Sequence, residues 1–120
     1  MKYLVLAILS IVFLQGCYYD DKDLLNPNGS LCDTTIVTYS ASVQPILTAY
    51  CTGCHSGPNA PLNISLDNYT TVKAQATNGK LVGTITHSSG FIPMPQNGPM
   101  LNSCSITKIR KWVIAGAPNN

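Results

Sequence analysis

The chain contains no glutamate, and beyond Asp67 it contains no acidic residue of any kind. The stretch beyond Asp67 therefore offers no side-chain carboxylate for general acid–base work. Charged residues make up only 10% of the 120 residues, and the formal net charge is +2. That leaves too little positive charge for an electrostatic grip on nucleic acid. Histidine occurs twice, so imidazole chemistry falls to His55 or His87. No apolar run is long enough to cross a bilayer as a helix: the longest, Tyr3 to Leu14, has twelve residues against the ~20 required. No long apolar strand precedes Cys51, which removes the strand-then-helix setting of a dithiol oxidoreductase.

Against this sparse background stand five cysteines. Two of them lie in Cys51-Thr52-Gly53-Cys54-His55, which reads C-x-x-C-H, the attachment signature of a c-type haem. Two thiols at this spacing, on a tight turn that opens a helix, can reach two vinyl groups on one porphyrin edge. The histidine that follows turns a ring nitrogen to the iron, while its other nitrogen donates a hydrogen bond. Gly53 is expected to relieve crowding in the turn, where the backbone would run close to the haem edge. Zinc and dithiol readings of the same residues stay open. Zinc would need two further ligands, from among Cys32, Cys104 and His87.

The start of the chain reads as a targeting segment over residues 1–16, with Lys2 as the charged n-region and Tyr3 to Leu14 as the apolar h-region. Leu14-Gln15-Gly16-Cys17 resembles a bacterial lipobox, which would make Cys17 a lipidated N-terminus. Its acyl chains would hold the protein to a membrane at roughly 0.8 kcal/mol per buried methylene. Residues 17–38 form a tether and an extended lead-in: Asp20, Asp21, Lys22 and Asp23, then the breaker-rich Asn26-Pro27-Asn28-Gly29-Ser30. The acidic cluster also resembles a lipoprotein surface-export signal, against the plainer reading of a solvated linker. The expected localisation is that of an exported bacterial lipoprotein, on the periplasmic side of a membrane or at the outer-membrane surface. Residues 39–120, fewer than a hundred, form one small domain. Setting aside Cys17 and the haem pair leaves Cys32 and Cys104, an even remainder that suggests a disulfide in an oxidising compartment, or else two buried thiols.

Helical periodicity marks the rest. Ser40 or Ser42 is placed to cap a first helix, with Val43, Ile46, Leu47 and Tyr50 on one face, and Pro45 tolerable in the first turn. Ser56 to Pro61 is loop, and the carbonyl of Pro58 or Pro61 is a candidate acceptor for the back nitrogen of His55. Leu62, Ile64 and Leu66 alternate, as if extended along an apolar edge. Asp67 is the expected cap of a second helix through Tyr69, Val72, Lys73 and Ala76, closed by Asn78-Gly79. Leu81 to Thr86 suits a brief third helix. Asn102 or Ser103 caps the last, with Ile106, Ile109, Val113 and Ala117 in a stripe, Trp112 beside it, and Gly116 and Pro118 as stops.

Between the last two helices, Phe91 to Met100 carries three prolines and a glycine, which make it rigid and extended. Such a loop suits delivery of a soft ligand. Met94, flanked by Pro93 and Pro95, is the candidate sixth ligand, with Met100 and His87 as alternatives. Ordinary packing remains the competing role for either methionine.

With these motifs in place, Tyr39 to Pro118 resembles a small class I cytochrome c domain. It is similar to the short monohaem lipoprotein cytochromes of Bacteroidetes, with Cys51-Thr52-Gly53-Cys54-His55 as haem motif and Met94-Pro95 as distal motif. The resemblance implies an all-α fold of about four short helices around one covalently attached haem, with an N-terminal helix crossing a C-terminal one. It implies Cys51 and Cys54 as attachment points, and His55 and Met94 as metal ligands. The implied function is single-electron transfer rather than catalysis, with redox partner proteins and no small-molecule substrate. A haem enzyme or gas sensor with an open distal site is the alternative, and a zinc-stabilised structural lipoprotein another. Acids end at Asp67, whereas Lys73, Lys80, Lys108, Arg110 and Lys111 follow it. The segregation suggests either docking to an acidic redox partner or a solvated basic surface.

Overall fold

The protein is described by a computed structural model over residues 32–120. The expected targeting segment, Cys17 and the expected tether as far as residue 31 lie outside the described residues. The first helical element starts earlier than its serines suggest. Thr38, with extended backbone, accepts a hydrogen bond from the Ala41 N–H and caps a π-helical turn, Tyr39–Val43. That turn runs directly into α1, Gln44–Tyr50, with Pro45 in its first turn, where the missing donor costs nothing. The stripe divides in function. Val43 and Leu47 are buried, while Tyr50 is 48% exposed and lines a cavity.

The second helix, α2, is Tyr69–Thr77, and Asn68 rather than Asp67 caps it, its Oδ1 taking the Thr71 N–H at 3.0 Å. Both residues are good caps by type. Asp67 is engaged elsewhere, by the Gly57 N–H at 2.9 Å and the Ser65 hydroxyl at 2.5 Å. Gly79, in the left-handed region at φ 79°, breaks the chain between α2 and α3, Lys80–Ile85. Asn102 caps α4, Ser103–Ile114, through the Ser105 N–H at 2.9 Å. Among the described residues there is no strand, and the architecture is all-α, as the periodicities imply.

The core joins Tyr39, Val43 and Leu47 to Val72, Leu81, Ile85, Ile109 and Trp112. Burying each of the larger aliphatic side chains contributes about 1.5–3 kcal/mol. Trp112 is fully buried; its ring centroid lies 5.5 Å from that of Tyr39, and its indole N–H donates to the Pro118 carbonyl at 2.8 Å. The contact with the C-terminal helix is therefore made by the π-helical turn. Asn120 closes the same corner, accepting from the Tyr39 and Ser40 N–H groups.

Cys32 and Cys104 are joined in a disulfide, Cα to Cα 5.6 Å, across a sequence separation of 72. It ties the start of the described chain to the first turn of α4. In the chain-entropy picture, closing a loop of that length stabilises by about 4 kcal/mol. No helix among the described residues is long and apolar enough to cross a membrane.

Candidate functional site

The C-x-x-C-H segment closes α1 rather than opening a helix. The Cys51 and Thr52 N–H groups both donate to the Leu47 carbonyl, at 2.8 and 3.0 Å. The Cys54 and His55 N–H groups then donate to the Cys51 carbonyl, at 3.1 and 2.9 Å. This tight turn brings both thiols and the imidazole onto one cavity. A Cβ at Gly53 would meet no atom of the chain within 4 Å, and its φ is not positive. The expected crowding thus has no source within the polypeptide.

His55 is fixed from behind. Its Nδ1 lies 3.0 Å from the Ile64 carbonyl. A carbonyl only accepts, so Nδ1 carries the hydrogen, and in the neutral ring it is Nε2 that holds the lone pair. The acceptor is Ile64, not Pro58 or Pro61. The reason is the path of the loop: Pro61–Asn63 forms a 3-10 turn with Leu62 and Asn63 both at φ 56°, which carries the Ile64 carbonyl round to the ring. Leu62, Ile64 and Leu66 all line the cavity, but the stretch is bent at Leu62 rather than extended throughout. Two further bonds close the loop. The Leu66 N–H donates to the His55 carbonyl at 2.7 Å, and the Gly57 N–H to Asp67. The Ser65 hydroxyl, then the Gly57 N–H, hold the Asp67 carboxyl below its ordinary value.

The cavity has a volume of about 760 Å³, within the ~300–1,000 Å³ range of cofactor sites. Its lining is mainly apolar, contributed by α1, the 61–66 stretch, α3 and the 90–97 loop. Tyr50, Leu62, Phe91 and Ile92 line it while remaining 37–80% exposed. Apolar side chains gathered at exposed positions around a cavity mark a binding site, because covering them is favourable. Cys51, Cys54, His55 and Met94 all belong to this lining. Met100 and His87 do not. Met100 is half exposed and lines a separate surface depression with Arg110 and Thr107, and the His87 Nε2 is spent on the Met94 carbonyl at 3.2 Å. The Met94–Pro95 peptide is cis.

Burial pushes the Cys51 thiol up to about 11. Nucleophilic and metal-binding thiols show the reverse shift. The two cysteines proposed to complete a zinc site are bonded to each other. Among the described residues no group of three or more His, Cys, Asp or Glu is arranged to hold a metal ion. Of the five basic side chains beyond Asp67, Lys80 alone lines the cavity. Lys111 bonds Thr34, and Lys73 lies over the Tyr69 ring.

The chemistry of this donor set fits a covalently held haem: two unpaired thiols, an imidazole with one nitrogen free, a thioether, and an apolar enclosure. Some of the supporting residues escape a reading of the motifs alone. Ile64, Asp67 and Thr84 act through backbone groups or loop closure and leave no spacing signal. Gly83, a glycine inside a helical stretch, is the one visible clue, since such a residue needs a packing reason. No protein-family model matches the chain, and comparison with curated proteins and with solved structures finds no match for it.

Proposed function

We propose that the protein is a c-type cytochrome that carries single electrons. The observation that carries the reading is the convergence of Cys51, Cys54, His55 and Met94 on one apolar cavity, with His55 Nδ1 already committed to Ile64. Cys51 and Cys54 would hold the haem through thioethers. His55 Nε2 and the Met94 sulfur would be its axial ligands. When bound, a haem supplies a one-electron ferric–ferrous couple. The chain's own residues set the conditions for that couple. Imidazole and thioether together favour a raised potential, and the apolar lining excludes water from the metal. The Ile64 carbonyl keeps the imidazole in a single tautomer and orientation. Filling both axial positions leaves no place for a substrate, which favours electron transfer over catalysis or gas binding.

Lipidation at Cys17 would hold this domain at a membrane surface, and a Cys17→Ser variant is expected to lose labelled fatty acid. Docking to an acidic redox partner would use Lys80, at the cavity. Its signature is a partner reduction rate that falls as ionic strength rises.

The test is a spectrum of protein expressed with a haem-attachment system. The reading expects low-spin bands when reduced and a far-red sulfur-to-iron band when oxidised. High-spin iron that binds carbon monoxide readily would favour an open-site enzyme or sensor. Protein that carries no haem would overturn the reading.

A further inference from the structure

We infer that His87 is a positioning residue: its ring holds the Met94 backbone, and so sets how firmly the Met94 thioether is presented to the cavity. The inference rests on the haem reading above and assigns a task to a histidine that this reading leaves unused. His87 follows Thr86, the C-cap of α3, and sits in the left-handed region, at φ 50°. A side chain with a Cβ is disfavoured there, so surrounding contacts must hold it.

Those contacts converge on Met94. His87 Nε2 lies 3.2 Å from the Met94 carbonyl, which can only accept, so the ring donates through Nε2–H. The Met94 N–H donates to the Thr84 carbonyl at 3.0 Å. Both backbone polar groups of Met94 are therefore anchored to α3 or to the residues that close it. A third hold comes from the same helix. Phe91 packs on bare Gly83, where a Cβ would meet the ring at 2.5–2.6 Å. Three prolines stiffen the loop, and these contacts fix it to α3 and to the residues that close it. A thioether is a weak ligand, kept in place by the geometry of the chain that bears it. Removing one anchor raises the fraction of time the sulfur is away, and an added ligand then competes better.

The experiment titrates imidazole into haem-loaded ferric protein and follows loss of the far-red band. In His87→Ala, half-displacement is expected at about 3- to 10-fold less imidazole than in the wild type, the range set by one lost hydrogen bond. His87→Gln, whose amide N–H can still donate, should recover at least half of that difference. An unchanged midpoint in His87→Ala, or a His87→Gln midpoint equal to that of His87→Ala, would overturn the assignment. A wild-type protein lacking the far-red band would defeat the Met94 reading and this inference together; a wild-type band with an indifferent His87→Ala defeats this inference alone.

A second measurement needs no variant. Long-range nitrogen–proton spectra of the ferrous wild-type protein, at about pH 8 and so above the ordinary histidine range, report the His87 tautomer. Hydrogen on Nε2 is expected; hydrogen on Nδ1 alone overturns the inference.

Discussion

Cys51 to Asp67 and Ser88 to Met100 border the same cavity, yet they are held in different ways. The first segment hangs from the Leu47 carbonyl of α1 and is otherwise stitched to itself. Its turn is built on the Leu47 and Cys51 carbonyls, and its loop is closed by His55, Gly57 and Leu66 reaching Ile64, Asp67 and His55. The second carries local turns and prolines, but it is fixed by groups outside the loop: Thr84 and His87 hold Met94, and the bare face of Gly83 takes Phe91. On the proposed reading the strong ligand, an imidazole, would sit on the self-supporting segment and the weak one, a thioether, on the leaning segment. The imidazole should therefore survive perturbations that dislodge the thioether.

Exchanging the ligands one at a time gives the largest contrast. His55→Ala should abolish the low-spin spectrum. Met94→Ala should leave the haem covalently attached, turn the iron high-spin, admit carbon monoxide, and lower the potential by on the order of 100 mV, within the ~0.8 V range that axial ligands control. Spectra and a redox titration check both. Equal damage from the two variants would break the contrast.

Next in size is the disulfide, which braces α4 and lies outside both segments in sequence. Cys104→Ser should cost about 2–5 kcal/mol in denaturant unfolding. The far-red band should remain intact in the folded fraction.

A smaller effect separates helix propensity from loop anchoring. In an unconstrained helix, Gly→Ala stabilises by roughly 0.5–1 kcal/mol. At Gly83 the new methyl would displace Phe91, so Gly83→Ala should instead destabilise, by about 1–3 kcal/mol. It should also sensitise Met94 to imidazole. A stabilised Gly83→Ala protein would show that the α3 contact does not hold the loop.

The smallest effect is on the self-supporting side. Asp67 has its carboxyl held below the ordinary value by Ser65 and Gly57, so its contribution is present above about pH 3.9. It is lost as pH falls through the lower folded value. Thermal midpoints of the wild type should therefore drop in that acid window, and Asp67→Asn should flatten the drop. Identical acid profiles would remove Asp67 from the account of how the His55 loop is closed.

What was legible in the sequence is local. Cys51, Cys54 and His55 declare themselves by their C-x-x-C-H spacing, and the turn places all three on one cavity. Met94 is marked by its prolines, and the helices by stripes such as Ile106, Ile109 and Val113. The features that escaped depend on competition or on closure in space. Asn68 caps α2 because Gly57 and Ser65 have already taken Asp67. Ile64 reaches His55 only because Leu62 and Asn63 turn left-handed. The helical start at Tyr39 is braced by Tyr39 packing on Trp112 and Tyr69, contacts that no short window contains.

The most direct measurement is the intact mass of the mature protein purified from cells able to attach haem. The account predicts the polypeptide plus one tetrapyrrole, with the increment surviving denaturation and vanishing in a Cys51→Ser/Cys54→Ser variant. A bare polypeptide mass under those conditions would contradict it.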